Sequence, residues 1–325
     1  MKIAVAGTGA MAREALPVFI KTGWEVTAVS STKRSFAAAR ELGERYSIRA
    51  FDDFGAMLRD GGADAVYIAV SNDVHFDFAL AALEAGKHVI LEKPFTTRAR
   101  DAERLISLAE EKGLMLFEAI STLYSPNYMK ILDWLPEIGR VRLISANFSQ
   151  YSSRYDAFLA GRKAPVFDVS RSGGVLGDLH VYNIHYITGL FGLPESAAYL
   201  PNISEGVDTS GVLVMRYGGF TAVSMAAKDC GAPPGYIIEG EKGYISQDTS
   251  ANVCGGVTLH LNGGEERHFE ETFASRLEPE FTFFREAMEA GDLEASQRSH
   301  AATLGVVRLM EEVRLRAGIV FPTDE

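Results

Sequence analysis

The segment Lys2–Ala12, KIAVAGTGAMA, is an apolar run that continues directly into a glycine-rich turn. This order predicts a first strand, a tight turn and the start of a first helix. Gly7 permits the turn, and Gly9 lets a diphosphate approach the backbone at the positive end of the helix. A plain packing turn is the other interpretation, which this placement disfavours. The dinucleotide site that we expect consists of Gly7, Thr8, Gly9, Ala10 and Met11.

The residues after the second predicted strand indicate which dinucleotide fits. Rossmann proteins selective for NAD usually carry Asp or Glu there, to bind the ribose 2′-hydroxyl. This chain carries hydroxyls and two cations instead, which suit a 2′-phosphate. We therefore expect the protein to prefer NADP(H), with NAD(H) as the alternative cofactor. The other interpretation of the two cations is that they are solvated side chains in the first turn of the next helix. The residues concerned are Ser30, Ser31, Thr32, Lys33 and Arg34.

The composition restricts the class of protein. A chain of 325 residues that is 47% hydrophobic and 23% charged can build folded cores, and its length favours two domains. The net charge is −11 and basic residues form no tract, so we expect neither nucleic acid nor an anionic membrane as a partner. No apolar run approaches the length of a membrane span, and no signal sequence opens the chain. A cytoplasmic location is therefore expected.

The pattern of apolar runs divides the chain near residue 120. Residues 1–120 alternate strand-like and helix-like segments, which predicts an α/β Rossmann domain with a doubly wound parallel sheet. Residues 121–325 combine helices with hairpin-like strands, which predicts an α+β substrate-binding domain with a large, mostly antiparallel sheet. The open face of such a sheet needs a cover, and a second subunit is the commonest one. We therefore expect a homodimer or homotetramer.

Glu92-Lys93-Pro94 ends the fifth predicted strand, at the edge where a doubly wound sheet binds its ligands. Pro94 stiffens the backbone directly after Lys93. A lysine in this position is a suitable proton donor and acceptor for an alcohol and carbonyl pair. A lone lysine at a strand end is more often a solvated surface cation, but the Glu-Lys-Pro context favours the catalytic interpretation.

Five motifs, in their order and spacing, resemble the Gfo/Idh/MocA family of NAD(P)-dependent oxidoreductases along nearly the whole chain. They are GTGAMA at 7–12, SN with His75 at 71–75, GKHV at 86–89, EKP at 92–94 and GGVLGD at 173–178. The resemblance implies a Rossmann domain followed by a C-terminal sheet domain. It also implies hydride transfer at a carbinol carbon, usually of a sugar or cyclitol.

The same resemblance assigns roles to individual residues. It implies that Lys93 transfers the proton, while Asp178 and Tyr182 hold the reacting hydroxyl or relay to it. Through Tyr182 the chain resembles the Tyr-bearing branch of the family, which includes glucose–fructose oxidoreductase and trans-dihydrodiol dehydrogenase. The other interpretation of Tyr182 is an aromatic residue of the core. Further cofactor-binding residues are implied on the turns after the fourth and fifth strands. These are Ser71, Asn72, His75, Glu92 and Lys93. For His75 the other interpretation is capping or packing of the next helix, and for Glu92 it is a structural ion pair.

Two histidines depart from the family pattern. His180 stands where the family usually has Gly, and His185 stands where Asn or Asp is common, so both are candidate substrate-binding residues. Their spacing from Asp178 is not one of the usual zinc patterns, and we expect no metal site. Arg154 and Tyr155 follow a long predicted strand and are further substrate-binding candidates, since Arg154 would suit a carboxylate or phosphate. An exposed, purely structural Arg154 is the alternative.

These residues together predict an NAD(P)-dependent dehydrogenase or reductase that acts on the CH–OH group of a sugar, polyol or related small molecule. Two alternatives are an NADP(H)-binding regulatory sensor without turnover, and an NAD-dependent glycosidase that reduces and reoxidises its cofactor within one turnover. Lys93, Asp178 and Tyr182 disfavour the sensor, because a sensor needs no proton relay.

Overall fold

The computed structural model describes residues 1–324 and divides the chain into two compact units. The first unit comprises Met1–Ala119 together with Leu277–Leu304. The second unit comprises Ile120–Arg276 together with the chain from Gly305 onward. The structure therefore differs from the single second segment, 121–325, that the sequence suggests, because Leu277–Leu304 belongs to the first unit.

The first unit is built on a parallel sheet of six strands in the order β3-β2-β1-β4-β5-β6. Right-handed returns through intervening helices give this order, and the predicted Rossmann domain is confirmed. The strands are β1 (Lys2–Ala6), β2 (Glu25–Ser30), β3 (Arg49–Phe51), β4 (Ala65–Ile68), β5 (His88–Glu92) and β6 (Leu116–Ala119). The helices between them are α1 (Ala10–Lys21), α2 (Phe36–Tyr46), α3 (Phe54–Asp60), α4 (His75–Glu84) and α5 (Ala99–Lys112).

The central strands of this sheet consist almost wholly of buried apolar residues. Ile3–Ala6 in β1, Ala65–Ile68 in β4 and Val89–Leu91 in β5 are each 1% exposed or less. Helices on both faces of a parallel sheet produce this continuous apolar pattern. Because the strands are parallel, their carboxyl ends lie at one edge, where the polar turns that follow them are gathered.

The second unit contains a sheet of eight strands in the order β14-β13-β12-β11-β7-β10-β9-β8. Only β7 and β10, of the neighbouring strands described, are parallel, so the predicted mostly antiparallel sheet is confirmed. The strands are β7 (Val141–Ser149), β8 (Ser196–Ser204), β9 (Val207–Arg216), β10 (Thr221–Ala227), β11 (Gly235–Gly240), β12 (Gly243–Gln247), β13 (Val257–Leu261) and β14 (Glu266–Phe269). The helices are α6 (Pro126–Trp134), α7 (Tyr155–Leu159) and α8 (Val181–Phe191).

One face of the eight-stranded sheet packs against α8. Ile144 and Ala146 of β7, Leu213 of β9 and Ile238 of β11 are buried there with Ile184 of α8, in one continuous apolar core. Successive side chains of a strand point to opposite faces. The alternate residues of these strands therefore form a second face.

Two helices follow the eight-stranded sheet, α9 (Glu278–Ala290) and α10 (Leu293–Arg316). α9 packs on the first unit, where Phe281 stacks on Phe19 with ring centroids 4.1 Å apart. The indole Nε1 of Trp24 also donates to the carbonyl of Phe281 at 3.0 Å. This packing explains why Leu277–Leu304 belongs to the first unit. Across residues 1–324, the helices include none that combines the length and apolarity needed to cross a membrane.

Candidate functional site

Close backbone contact shapes the glycine-rich turn between β1 and α1. Gly7 has a φ of +113°, and a Cβ atom there would lie 2.2 Å from the carbonyl oxygen of Ala69. Only glycine combines this φ with so close an approach. The N–H of Gly7 donates to the carbonyl of Ser30 at 2.9 Å, which joins the turn to the end of β2.

Gly9 is the N-cap of α1 and leaves space in front of the helix. Its backbone is extended, and a Cβ atom there would meet no atom of residues 1–324 within 4 Å. The first helical turn, Ala10–Arg13, contains no acid. A helix N-terminus with an open approach attracts anions. The turn therefore fits the diphosphate of a dinucleotide.

Burial divides the segment Ser30–Arg34. Ser30 ends β2 and its side chain is buried, so its side chain is not available to a ligand. Thr32 precedes a 3₁₀ turn in which Lys33 and Arg34 are exposed. Two exposed cations thus follow β2, next to the strand that leads into the glycine turn.

The turn after β4 adds polar groups at the same edge of the sheet. Ser71 Oγ donates to Asp73 Oδ1 at 2.6 Å, and Asn72 begins a 3₁₀ turn. Ser71 and Asn72 are partly exposed. Since β4 pairs with β1, this turn follows the strand next to the one that carries the glycines.

Buried side chains hold the turn that carries Lys93. The Lys93–Pro94 peptide is cis. His75 Nδ1 lies 2.9 Å from the carbonyl oxygen of Pro94. The N–H of Phe95 donates to Glu118 Oε1 at 3.1 Å, and Glu118 is itself buried. The backbone that follows Lys93 is therefore fixed from two sides.

Glu92 and His75 both serve this turn. Glu92 accepts hydrogen bonds from Tyr67 OH and, at 3.2 Å, from the backbone N–H of Lys93. Burial lowers the pKa of His75, and its two ring nitrogens face the carbonyl oxygens of Pro94 and Val70. The sequence suggests cofactor contacts for His75 and Glu92, but the structure buries both side chains and bonds them to the turn. Buried polar groups need such partners within the protein.

A π-helical turn, Leu176–His180, carries Asp178 and leads into α8. A Cβ atom at Gly174, where φ is +129°, would lie 2.0 Å from Asp208 Oδ1. The N–H of Leu176 donates to Asp208 Oδ2 at 2.7 Å. The glycine motif is thus required because a buried carboxylate caps the turn at close range.

Asp208 is held by more than the backbone of this turn. Tyr199 OH donates to Asp208 Oδ2 at 2.7 Å. Burial raises the pKa of Asp208, while the bonds from Tyr199 and the backbone oppose that rise. The segment that bears Asp178 is therefore anchored to β9 by a carboxyl group that the motif does not contain.

Lys228 forms an ion pair with Asp178, with Nζ and Oδ2 2.5 Å apart. Lys228 follows the end of β10, and its side chain is 12% exposed, against 32% for that of Asp178. Sequence reasoning missed Lys228, because its partner lies far away in the chain. The available signal is a lysine placed directly after the strand Thr221–Ala227.

Tyr182 lies at the start of α8, four residues beyond Asp178. Its side chain is 4% exposed, and its ring centroid lies 6.2 Å from that of Phe148. The structure thus brings Asp178 and Tyr182 onto one helical segment, with Lys228 in contact with Asp178.

His180 and His185 lie in the core, at 0% and 2% exposure. His180 Nδ1 lies 2.7 Å from Ser224 Oγ, which also accepts from Asn183 Nδ2 at 2.9 Å. Burial lowers the pKa of His180 to about 3, so the ring is neutral. The sequence suggests that both histidines bind substrate. The structure buries both side chains in the core.

Arg154 and Tyr155 lie at the start of α7. Arg154 is exposed, whereas the ring of Tyr155 packs against Phe167 with centroids 5.6 Å apart. The N–H of Ser152 donates to the carbonyl of Lys228 at 2.9 Å. The segment with these two candidates is therefore bonded to the residue that pairs with Asp178.

Two family models match the chain. The model of an oxidoreductase family with an NAD-binding Rossmann fold matches residues 1–120. The model of the GFO/IDH/MocA C-terminal domain matches residues 136–246. The first match contains the whole parallel sheet, and the second ends within β12, so that β13 and β14 lie beyond it.

Named enzymes are similar to the chain over most of its length. It is 34% identical over 313 residues to the scyllo-inositol 2-dehydrogenase (NADP(+)) IolU of Bacillus subtilis (strain 168), which covers 93% of this chain and 92% of that one. It is 27% identical over 317 residues to trans-1,2-dihydrobenzene-1,2-diol dehydrogenase of Danio rerio, with 92% and 91% covered.

A solved structure shares the whole architecture. KijD10, a 3-ketoreductase from Actinomadura kijaniata in complex with NADP and TDP-benzene, matches with a TM-score of 0.84 and 25% identity over 97% of both chains. The two domain models, the similarity to IolU and the shared fold all indicate the same family. The chain is an oxidoreductase of the Gfo/Idh/MocA family.

Proposed function

We propose that the protein is an NADP(H)-preferring dehydrogenase or reductase that transfers a hydride between the nicotinamide and the carbinol or carbonyl carbon of a sugar, polyol or related small molecule. The turn after β5 carries the proposal, because buried His75 and Glu118 fix the backbone next to Lys93. A protein that only bound the nucleotide would not need a rigidly held proton-transfer residue. The named inositol dehydrogenase, dihydrodiol dehydrogenase and 3-ketoreductase support the substrate class.

The proposed nucleotide site combines the glycine turn with the cations after β2. Gly7 and Gly9 allow the diphosphate to approach the backbone, and Lys33 and Arg34 pair with a 2′-phosphate. The chemistry that a bound nicotinamide supplies is hydride donation or acceptance. NADP in the names of IolU and of the KijD10 complex supports the preference, with NAD(H) as the alternative cofactor. The turn after β4, which carries Ser71, is the third part of this proposed nucleotide site.

Lys93 is the proposed proton-transfer residue. Its Nζ takes the proton of the substrate hydroxyl during oxidation and returns it to the carbonyl oxygen during reduction. Glu92 and His75 restrict the backbone on either side of it. Such support lets a catalytic side chain start from a fixed position.

Asp178 and Tyr182 are the proposed partners of the reacting hydroxyl. Asp178 is partly exposed on a turn that Asp208 anchors, so its carboxylate is accessible and its backbone is fixed. The phenol of Tyr182 lies one turn further along the same segment. Arg154 is the proposed contact for polar groups elsewhere on the substrate.

Turnover by the unmodified protein tests this function. Reduction of NADP⁺ and NAD⁺ would be followed by absorbance over a panel of inositols, other polyols, sugars and dihydrodiols. We expect reduction with at least one of them, and a higher kcat/KM for NADP⁺ than for NAD⁺. Tight nucleotide binding without turnover of any alcohol or ketone would contradict the function and favour a sensor. A higher kcat/KM for NAD⁺ would contradict the nucleotide preference alone.

We further propose that a second copy of the chain covers the open face of the eight-stranded sheet. Cross-strand pairing puts Leu143, Met225, Ile237 and Tyr244 on the face opposite α8, and each is between 36% and 41% exposed. Apolar side chains this exposed on a sheet face are typical of a subunit interface. Two copies joined through this face form a homodimer, from which a homotetramer is a further step.

A further inference from the structure

Lys228 contacts the proposed site without belonging to any of its motifs. Its Nζ lies 2.5 Å from Asp178 Oδ2. Only 12% of its side chain is exposed, so most of the aliphatic stem and much of the ammonium are withdrawn from solvent. A lysine held this deep needs an anionic partner, and Asp178 supplies it.

The backbone of Lys228 is fixed on both sides. Its N–H donates to the carbonyl of Thr209 at 2.8 Å, and its carbonyl accepts from the N–H of Ser152 at 2.9 Å. The next residue, Asp229, accepts through Oδ2 from the hydroxyls of Thr209 at 2.7 Å and of Ser210 at 2.9 Å. The ammonium is therefore presented from a rigid end of β10.

Asp178 is presented from an equally rigid support. Asp208 binds the N–H of Leu176 two residues before it, and the N–H of Asp178 itself donates to the carbonyl of Gly174 at 3.2 Å. The fixed backbones of Lys228 and Asp178 thus determine the position of the ion pair. A pair of mobile side chains on the surface would have no such fixed position.

We infer that Lys228 is a positioning residue that keeps Asp178 as an ionised, oriented acceptor for a hydroxyl of the substrate; this rests on the function proposed above for Asp178. An adjacent ammonium favours the ionised carboxylate. A carboxylate has about four lone-pair sites, so it accepts a substrate hydroxyl while it stays paired. Asp178 then donates no proton, and proton transfer falls to Lys93.

Asp178 is 32% exposed, so water can solvate its carboxylate when Lys228 is replaced. A structural role and a positioning role therefore predict different kinetics. A structural defect lowers the fraction of active enzyme and the melting temperature without changing KM. A misplaced Asp178 weakens the hold on the substrate, so that KM rises.

Steady-state kinetics with the alcohol found in the substrate panel test the inference in five proteins. They are the unmodified protein, Lys228→Met, Lys228→Arg, Asp178→Asn and the double variant Lys228→Met/Asp178→Asn. We expect Lys228→Met to raise KM and to lower kcat/KM by about 10- to 100-fold. Lys228→Arg keeps the charge and should recover most of this loss. In the Asp178→Asn background, Lys228→Met should cost no more than about twofold, because the two residues act as one unit.

Lys130→Met is the matched control, because Lys130 lies on α6, where it pairs with Asp133 at 3.0 Å. It should leave KM and kcat unchanged, and NADP⁺ should bind all variants as it binds the unmodified protein. An unchanged KM in Lys228→Met, or losses that multiply in the double variant, would overturn the inference alone. Nucleotide binding without any turnover by the unmodified protein would overturn the proposed function, and the inference with it.

Discussion

The core environment of His180 fixes its charge. The ring lies edge-on to Tyr199, with centroids 5.3 Å apart, and Nδ1 bonds to Ser224 Oγ. Burial lowers the pKa of His180 from 6.5 to about 3 in the folded chain. The unfolded chain, which keeps the ordinary value, therefore binds a proton first as the pH falls. The stability that depends on neutral His180 is complete above pH 6.5 and is lost progressively toward pH 3.

His180→Asn should reduce this acid sensitivity. One such histidine costs the folded state about 2 kcal/mol between pH 7 and pH 5. The free energy of unfolding would be measured by urea titration at pH 7 and at pH 5. Its decrease between the two pH values should be about 2 kcal/mol smaller in His180→Asn than in the unmodified protein. His268→Asn, at an exposed position, is the matched control and should leave the loss unchanged. An equal loss in His180→Asn would contradict the buried, neutral ring.

Individual residues were predictable where a motif fixes their place along the chain. Lys93 was expected at the end of a strand and lies there, directly after β5. The positions of His180 and His185 indicate one helical segment, but not that both side chains are buried in the core. Lys228 meets Asp178 only through space, so that no local pattern reveals the pair.

At the scale of elements, the π-helical turn before α8 depends on a cap supplied by another strand. Asp208→Ala should remove this cap and leave the N–H of Leu176 and the hydroxyl of Tyr199 without their acceptor. We expect the free energy of unfolding to fall by about 2–4 kcal/mol, as measured by urea titration at pH 7. Tyr199→Phe, which removes only one of the two bonds, should cost about 1 kcal/mol. Equal stability of Asp208→Ala and the unmodified protein would show that the carboxylate does not anchor the turn.

The sequence predicts the strands and helices in which apolar residues recur with a clear period. The long strand predicted before Arg154 and Tyr155 is β7. β8 was not singled out, because Pro201 and several polar residues interrupt its pattern. β8 lies at the edge of its sheet, where a residue without an N–H is tolerated. The π-helical turn was likewise hidden, since helical spacing does not distinguish i→i+5 bonds from i→i+4 bonds.

At the scale of the whole molecule, the open sheet face predicts an assembly. Light scattering of the unmodified protein should give a mass that is twice or four times the 35.4 kDa of one chain. The double variant Met225→Lys/Ile237→Lys places two charges on the face and should give a single chain. Leu159→Lys changes an exposed apolar residue of α7, outside the strands of this sheet, and should keep the assembled mass. A single-chain mass for the unmodified protein would contradict the proposed interface.

The alternation of strands and helices predicts the parallel sheet, because each helix must return the chain to the same edge. The same reasoning does not reveal that Leu277–Leu304 belongs to the first unit. That return depends on Phe281 meeting Phe19 and Trp24, which lie at the other end of the chain. Contacts between residues so far apart in the chain produce no periodic pattern in the sequence, so only the structure reveals them.

The proposed function depends on proton transfer by Lys93, and Lys93→Met removes the ammonium group that performs it. Turnover and NADP⁺ binding would be measured side by side in Lys93→Met, in the unmodified protein and in Lys112→Met, which alters an exposed lysine of α5. We predict that Lys93→Met loses at least about 100-fold in kcat while its affinity for NADP⁺ stays within about twofold, and that Lys112→Met behaves as the unmodified protein. Full turnover by Lys93→Met would show that Lys93 does not transfer the proton.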